Sequence, residues 1–316
     1  RDMRAMGLKI EERTACNMFR SYKVSEVPMS NRTFAPQSML SEIVKSGVHP
    51  TGDVRQSYII ALANVGQLTA AVMDLKEALK TGSIIRPDAD FFVTLLKACR
   101  TKTRFHLIES LLALVELARS EFTIELYEHS IAAFAKIRCP EKGLLVLRKM
   151  IVQFGLRKSI DSCCQLIVAF GSRGKFEGAK ELYTYVCGNG HSKSRRVIGA
   201  FMRACVSTQK VDELMSIFRD AASRNVLPDK DVDTFAEVLD SLGTMRFCNE
   251  ASEIIDTLQS KGLEIGSSPH LLSLLVMALV AGDMMAEALQ LFLSIGDKCN
   301  NASGIGLTLS RLVAEV

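Results

Sequence analysis

The stretch Ser162-Cys163-Cys164-Gln165-Leu166-Ile167-Val168-Ala169-Phe170 runs into Gly171-Ser172-Arg173-Gly174 and then into Lys175-Phe176-Glu177-Gly178-Ala179-Lys180-Glu181-Leu182. Leu166, Ile167 and Phe170 fall at helical spacing before the glycine-bearing break, and Phe176, Ala179 and Leu182 do so after it. Each predicted helix carries one apolar stripe that must be buried against a partner. Two short helices joined by a tight turn bury each other's stripes by packing antiparallel.

The same unit recurs along the chain. A small residue midway along the first helix serves as a marker: Ala61, Ala98, Ala133, Ala169, Ala204, Ser241 and Ala278, at spacings of 37, 35, 36, 35, 37 and 37. A small side chain is needed where two helix backbones cross closely. Two residues earlier stand Ile59, Leu96, Ile131, Ile167, Met202, Leu239 and Val276; one residue later stand Leu62, Cys99, Phe134, Phe170, Cys205, Leu242 and Leu279. The second helix supplies Leu75, Leu112, Leu147, Tyr183, Phe218, Ile255 and Phe292 in the same register. The units therefore span 53–89, 90–124, 125–160, 161–195, 196–232, 233–269 and 270–305, after a long atypical unit at 13–52. Residues 1–12 read as the tail of a preceding unit and 306–316 as the start of a further helix, which suggests a piece of a longer array. A stacked array of this kind has no single-core size limit, so 316 residues need not mean two domains.

Composition excludes several classes. With no tryptophan, 20 glycines and 7 prolines, the chain lacks the frequent turns that a sandwich or barrel of short strands requires. A net charge of +4 permits a nucleic-acid partner without demanding one. The nine cysteines form no CxxC pair, and Cys99 and Cys205 lie inside apolar runs, as small buried hydrophobes of a reducing compartment do. The longest apolar run, Leu271 to Ala281, is too short to span a bilayer. His49, His106, His129, His191 and His270 have no metal-ligand spacing, and there is no Walker loop, no GxGxxG after a strand and no GxSxG elbow. The expectation is a chain that is not an enzyme, with no cofactor and no small-molecule substrate.

The unit endings narrow the repeat type. Ser46-Gly47-Val48-His49-Pro50, Ile85-Arg86-Pro87-Asp88, Asn225-Val226-Leu227-Pro228-Asp229 and Lys261-Gly262-Leu263-Glu264 resemble the pentatricopeptide ending Gly-aliphatic-x-Pro-Asp. Phe92-Val93-Thr94-Leu95-Leu96 resembles that family's helix opening. Gly174 to Tyr183, and Gly282 to Phe292, resemble its Gly-Arg-Leu-Glu-Glu-Ala-Leu-Glu-Leu-Phe. The resemblance to the pentatricopeptide repeat (PPR) family covers about residues 13–305. It implies an all-α fold, a right-handed α-solenoid superhelix of about eight helix-turn-helix repeats.

The resemblance also implies a site. Family members mostly act in mitochondria and chloroplasts and bind single-stranded RNA along the face lined by first helices, with the second residue of each repeat wedged between bases. Here that position holds Val54, Phe91, Leu126, Ser162, Val197, Thr234 and Leu271. The same apolar residues also fit ordinary helix starts or a surface that docks a protein. The base-reading positions, the fifth and the last, hold Ser57 with Ala89, Thr94 with Ile124, His129 with Ile160, Gln165 with Arg195, Ala200 with Val232, and Glu237 with Pro269. None matches the family's pairs, and Ala, Val, Ile and Pro carry no group that reads a base edge. Base-by-base readout is therefore not expected.

Phosphate contact is the remaining route. Basic residues gather near the turns: Arg100, Lys102 and Arg104; Lys136 and Arg138; Arg173 and Lys175; and Arg195 with Arg196. On one edge of a solenoid such groups would form a stripe for the RNA backbone, and charged turns also simply keep a surface soluble. Two functions follow as expectations. One is an organellar protein that binds RNA through its groove and basic turns. The alternative is a structural subunit of a large organellar assembly such as the mitochondrial ribosome, touching ribosomal RNA and neighbouring proteins. A protein-only scaffold is a weaker third.

Overall fold

The computed structural model describes residues 11–21, 35–48, 50, 52–84, 87–99, 105–228, 231–263 and 268–298. Residues 1–10 of the preceding tail expected over 1–12, and the further helix expected over 306–316, lie outside them. So do Arg100, Lys102 and Arg104.

Among the described residues every element is helical. Helices α1 (Glu12–Arg20) and α2 (Pro36–Lys45) belong to the atypical first unit. Seven first helices follow: α3 (Gly52–Asn64), α5 (Ala89–Lys97), α7 (Ile124–Lys136), α9 (Ile160–Ser172), α11 (Arg195–Ser207), α13 (Val232–Thr244) and α15 (Pro269–Ala281). They alternate with second helices α4 (Leu68–Thr81), α6 (Phe105–Leu117), α8 (Pro140–Phe154), α10 (Phe176–Val186), α12 (Val211–Ser223), α14 (Cys248–Ser260) and α16 (Met285–Lys298). The chain forms two compact units, residues 1–159 and 160–316. Within each, a first helix packs on its own second helix and on the first helix of the next repeat. That two-layer stacking makes each unit an all-α repeat solenoid.

Local chemistry sets the helix ends. Asp88, Thr123 and Asp231 cap three first helices, each side-chain oxygen accepting from the backbone N–H three residues on (Phe91, Leu126 and Thr234). Pro36, Pro140 and Pro269 open helices where the missing N–H leaves nothing unsatisfied. The turn from first to second helix is one object repeated six times. Gly66, Arg138, Gly174, Gln209, Arg246 and Asp283 adopt φ between 57° and 86°. The N–H of the next residue then donates 2.9 Å back to the carbonyl of Leu62, Phe134, Phe170, Cys205, Leu242 or Leu279. This closes the first helix and reverses the chain. Each accepting residue directly follows a small marker residue.

The markers lie in the seams between successive first helices. Ala61, Ala98, Ala133, Ala169, Ala204 and Ala278 are at most 8% exposed. At two of these seams the residue two positions after a marker, a glycine, faces the next marker. A Cβ on Gly171 would stand 2.5 Å from the Ala204 Cα, and one on Gly243 would stand 3.0 Å from the Ala278 Cα. Phe92, Phe134, Phe201, Phe218 and Phe235 fill the space between layers. Removing such a side chain from water stabilises the fold by about 1.5–3 kcal/mol each.

Ion pairs one repeat apart tie successive repeats at the surface. Lys142 reaches Glu109 at 2.7 Å and Lys149 reaches Glu116 at 3.6 Å in the first unit. In the second unit Lys180 pairs with Glu213, Arg203 with Glu237 and Arg219 with Glu253, each at 2.6 Å. These partners lie 33 or 34 residues apart in sequence. Water reaches and screens every one of them, so each contributes little to stability.

Candidate nucleic-acid interface

The second residue of each repeat sits at the third position of its first helix, within the first turn. There the neighbouring helix covers it. Val54, Phe91, Leu126, Ser162, Val197, Thr234 and Leu271 are all buried, with no more than 4% of their surface exposed. A base can wedge only against an accessible side chain. The wedge expectation for Val54, Phe91, Leu126 and Val197 is therefore corrected: in this conformation they are seam residues, withdrawn because successive first helices approach closely.

The fifth residues are also largely committed. Ser57 is buried. The Thr94 hydroxyl donates to the Asp90 carbonyl of its own helix at 2.9 Å. His129 lies 3.6 Å from Glu125, and its pKa is held below the ordinary imidazole value by burial first and by Lys97 second, so the ring is neutral at pH 7. Ala200 is buried and has nothing to donate. The Glu237 carboxylate accepts from Arg203 Nη2 and Nε, at 2.6 and 2.7 Å. Gln165 and Glu237 are the exposed fifth residues, and Glu237 is ion-paired.

The exposed first-helix face of the second unit is electrostatically poor for RNA. Arg196 is held by Asp161 at 2.7 Å and Arg203 by Glu237, while Asp233 and Asp240 stand exposed beside them. Arg195 is exposed at the head of α11 and has a partner of its own.

The turn edges differ. In the first unit Lys136 and Arg138 occupy the turn after α7. In the second, Arg173 and Lys175 occupy the turn after α9, Lys210 the turn after α11 and Arg246 the turn after α13. Among the described residues Lys136, Arg138, Arg173 and Arg246 make no ion pair. The Lys210 ammonium lies 5.9 Å from the Phe176 ring centre, which orients it along the edge toward the preceding repeat. Lys175 and Lys210 are also the residues preceding second helices α10 and α12, whose first N–H groups receive no side-chain cap. Cation and open N–H groups together give this edge a positive potential, moderated by Glu177 and Asp212 in the first turn of each helix.

Lys210 and Arg246 were not singled out from the sequence. The signal was available: they stand six and five residues after markers Ala204 and Ser241, where Lys175 and Arg138 stand in their own repeats. The ion pairs were missed as well, and opposite charges one period apart would have revealed them.

Among the described residues no three His, Cys, Asp or Glu side chains approach closely enough to hold a metal. Burial raises the Cys99 thiol to about 11 and the Cys163 and Cys205 thiols to about 12, so these sulfurs stay protonated and unreactive. Among the described residues no helix is long and apolar enough to cross a membrane.

No protein-family model matches the chain, and no curated protein matches it in sequence. Its structure is similar to the crystal structure of the pentatricopeptide repeat protein PPR10 from maize, with a TM-score of 0.51 at 14% identity over 99% of this chain and 50% of that one. It also matches PPR10 in complex with an 18-nt psaJ RNA element, with a TM-score of 0.42 at 14% identity over 99% of this chain and 55% of that one. The chain thus spans about half the length of the solved structures it matches.

Proposed function

We propose that this chain, which has the fold of a pentatricopeptide repeat protein, binds the backbone of RNA along its basic turns and does not read bases one per repeat. The observation that carries this is the recurrence of cations in the first-to-second-helix turns of three consecutive repeats of the second unit (Arg173 and Lys175, Lys210, Arg246), while the fifth residues are mostly buried, bonded within the protein or ion-paired. Cations held on a repeating edge attract phosphates whatever the base sequence, and such binding weakens steeply with salt. The groove has a secondary part in this reading, because its charges in the second unit are neutralised in pairs.

The biological setting that fits is organellar RNA metabolism or translation, in the mitochondrion or alternatively the chloroplast. A second reading, a structural subunit of an organellar assembly such as the mitochondrial ribosome, is favoured by the same closed fifth positions, since a ribosomal protein holds RNA without reading it. Co-sedimentation with a ribosomal subunit would support that reading, and discrete co-purified transcripts would support the first.

The direct test is the salt dependence of single-stranded RNA binding. Reversing Arg173, Lys210 and Arg246 to Glu is expected to lower affinity and to reduce the slope of log K against log salt by about 0.7 for each phosphate that is no longer neutralised. Affinities for unrelated sequences should fall together. Unchanged affinity and slope would remove the basic edge from the interface.

A further inference from the structure

The six turns between first and second helices share one backbone shape but not their side chains. The residue whose N–H closes the turn is Gln67, Cys139, Lys175, Lys210, Phe247 or Met284. Phe247 is also the N-cap of α14, a place that favours a short side chain whose oxygen accepts the first N–H groups. A phenylalanine cannot do this, and α14 receives no side-chain cap. Nor does the core use the ring. Phe247 is 38% exposed, and among the described residues no other ring and no cation lies against it. Phe176, one residue further into its own turn, is the contrast. It is buried, 5.9 Å from the Phe201 ring, with the Lys180 and Lys210 ammonium groups 5.7 and 5.9 Å from its centre. A large apolar side chain set where local chemistry favours a small polar one, without gain in packing, points to a use outside the fold.

Single exposed hydrophobics are ordinary, so position decides what this one means. Among the described residues the exposed aromatic side chains are Tyr185 and Phe247. Tyr185 stands at the end of α10, a helix length from the turns. Phe247 stands on the edge that carries Arg173, Lys175, Lys210 and Arg246, and it directly follows Arg246. Arg246 is exposed and makes no ion pair among the described residues. In the next turn Asp283 takes the position of Arg246, so the run of cations ends where the ring stands. Glu250, in the first turn of α14, lowers the potential further along that helix.

We infer that the exposed ring of Phe247 is a stacking site for one unpaired base of single-stranded RNA, and that it fixes the end of the strand lying on the basic turns. This rests on RNA backbone binding at those turns. Phosphates on a row of cations are interchangeable, so a strand held by charge alone is free to slide. The buried second residues of the repeats offer no base a surface. An aromatic face accepts any base, because every base has a π-face, and so it anchors a strand without reading its sequence. Arg246 holds a phosphate of the same strand, and beyond the ring Asp283 repels the next one.

Binding of oligoadenylate to the full chain tests this, with inorganic polyphosphate as a probe that has the charge and no base. Phe247→Leu keeps an apolar side chain and loses the ring face. It should weaken oligoadenylate binding roughly 5- to 100-fold, the range of one base stack, and leave polyphosphate binding unchanged. No cation is removed, so the slope of log K against log salt should stay that of the parent. Phe247→Trp should bind at least as tightly as the parent. The chain has no tryptophan, so this single indole reports on the site, and oligoadenylate but not polyphosphate should quench it. Unchanged thermal unfolding will show that the variants fold; where Phe247→Leu does not, the quenching in Phe247→Trp decides. The inference is overturned if Phe247→Leu binds oligoadenylate like the parent, if its polyphosphate binding falls by the same factor, or if the indole is not quenched. It is overturned too if Phe247→Leu changes the sedimentation of the RNA-free chain, the ring then being covered by a second copy. Should Arg173→Glu/Lys210→Glu/Arg246→Glu weaken binding while Phe247→Leu does not, the basic edge stands without this site. Should the parent bind no oligoadenylate, both fall.

Discussion

Two seams of the second unit, a repeat apart, solve the same packing problem differently. Between α9 and α11 the residue two after the marker is Gly171, and the backbones meet so closely that a methyl group would overlap the Ala204 Cα. Between α11 and α13 the same position holds Val206, which is half-exposed. There the helices make a smaller contact, and the Arg203–Glu237 ion pair spans it at the surface. The first seam carries the Asp161–Arg196 pair at its surface but relies on buried van der Waals contact and has no slack. The second relies partly on screened charge and can adjust. Alternating stiff and compliant seams would let a solenoid yield at chosen repeats without losing its core.

The tight seam is the easier of the two to break. Gly171→Ala places a Cβ 2.5 Å from backbone that cannot rotate away, and the seam must open. Urea denaturation should show a loss of about 3 kcal/mol, at the upper end for overpacking, and Gly243→Ala, with 3.0 Å of room, about half of that. If Gly171→Ala proved neutral, the seam would be as compliant as its neighbour.

The loose seam should respond less. Val206→Ala removes two methyl groups but leaves helices free to move together, so a loss below about 1 kcal/mol is expected. Arg203→Ala should cost about 0.5 kcal/mol at low salt and less at high salt, because the pair is solvent-exposed. A large and salt-independent loss would mean that the pair is a structural clamp.

An effect of about the same size concerns the turns common to both seams. Arg246 holds φ 63°, where any side chain is strained. Arg246→Gly should be neutral or raise stability by up to about 1 kcal/mol, while Gly174→Ala at φ 73° should lower it by about 1 kcal/mol. Differential scanning calorimetry would separate the two. Reduced RNA affinity in Arg246→Gly at unchanged stability would place the side chain at the interface.

Much of the fold was legible because its causes are periodic. A helix pair that cannot bury its stripe alone must repeat, and the small markers and the flanking core residues recur with it. The first helices begin at 52, 89, 124, 160, 195, 232 and 269, and the same Schellman-type turn closes six of them. The site was less legible. Val54, Phe91, Leu126 and Val197 are apolar whether they face a base or a neighbouring helix, and their identity does not distinguish the two. Glu237 reads as an unsuitable base reader, but nothing local shows that it clasps Arg203 from the preceding repeat.

The sequence by itself determined the helix pairs, their period and the small residues at their crossings, since hydrophobic spacing and backbone propensity act within one repeat. Only the tertiary structure decided which surface residues remain available. Exposure and ion pairing depend on the distance between helices some 35 positions apart, and that distance is set by how closely one backbone can approach the next.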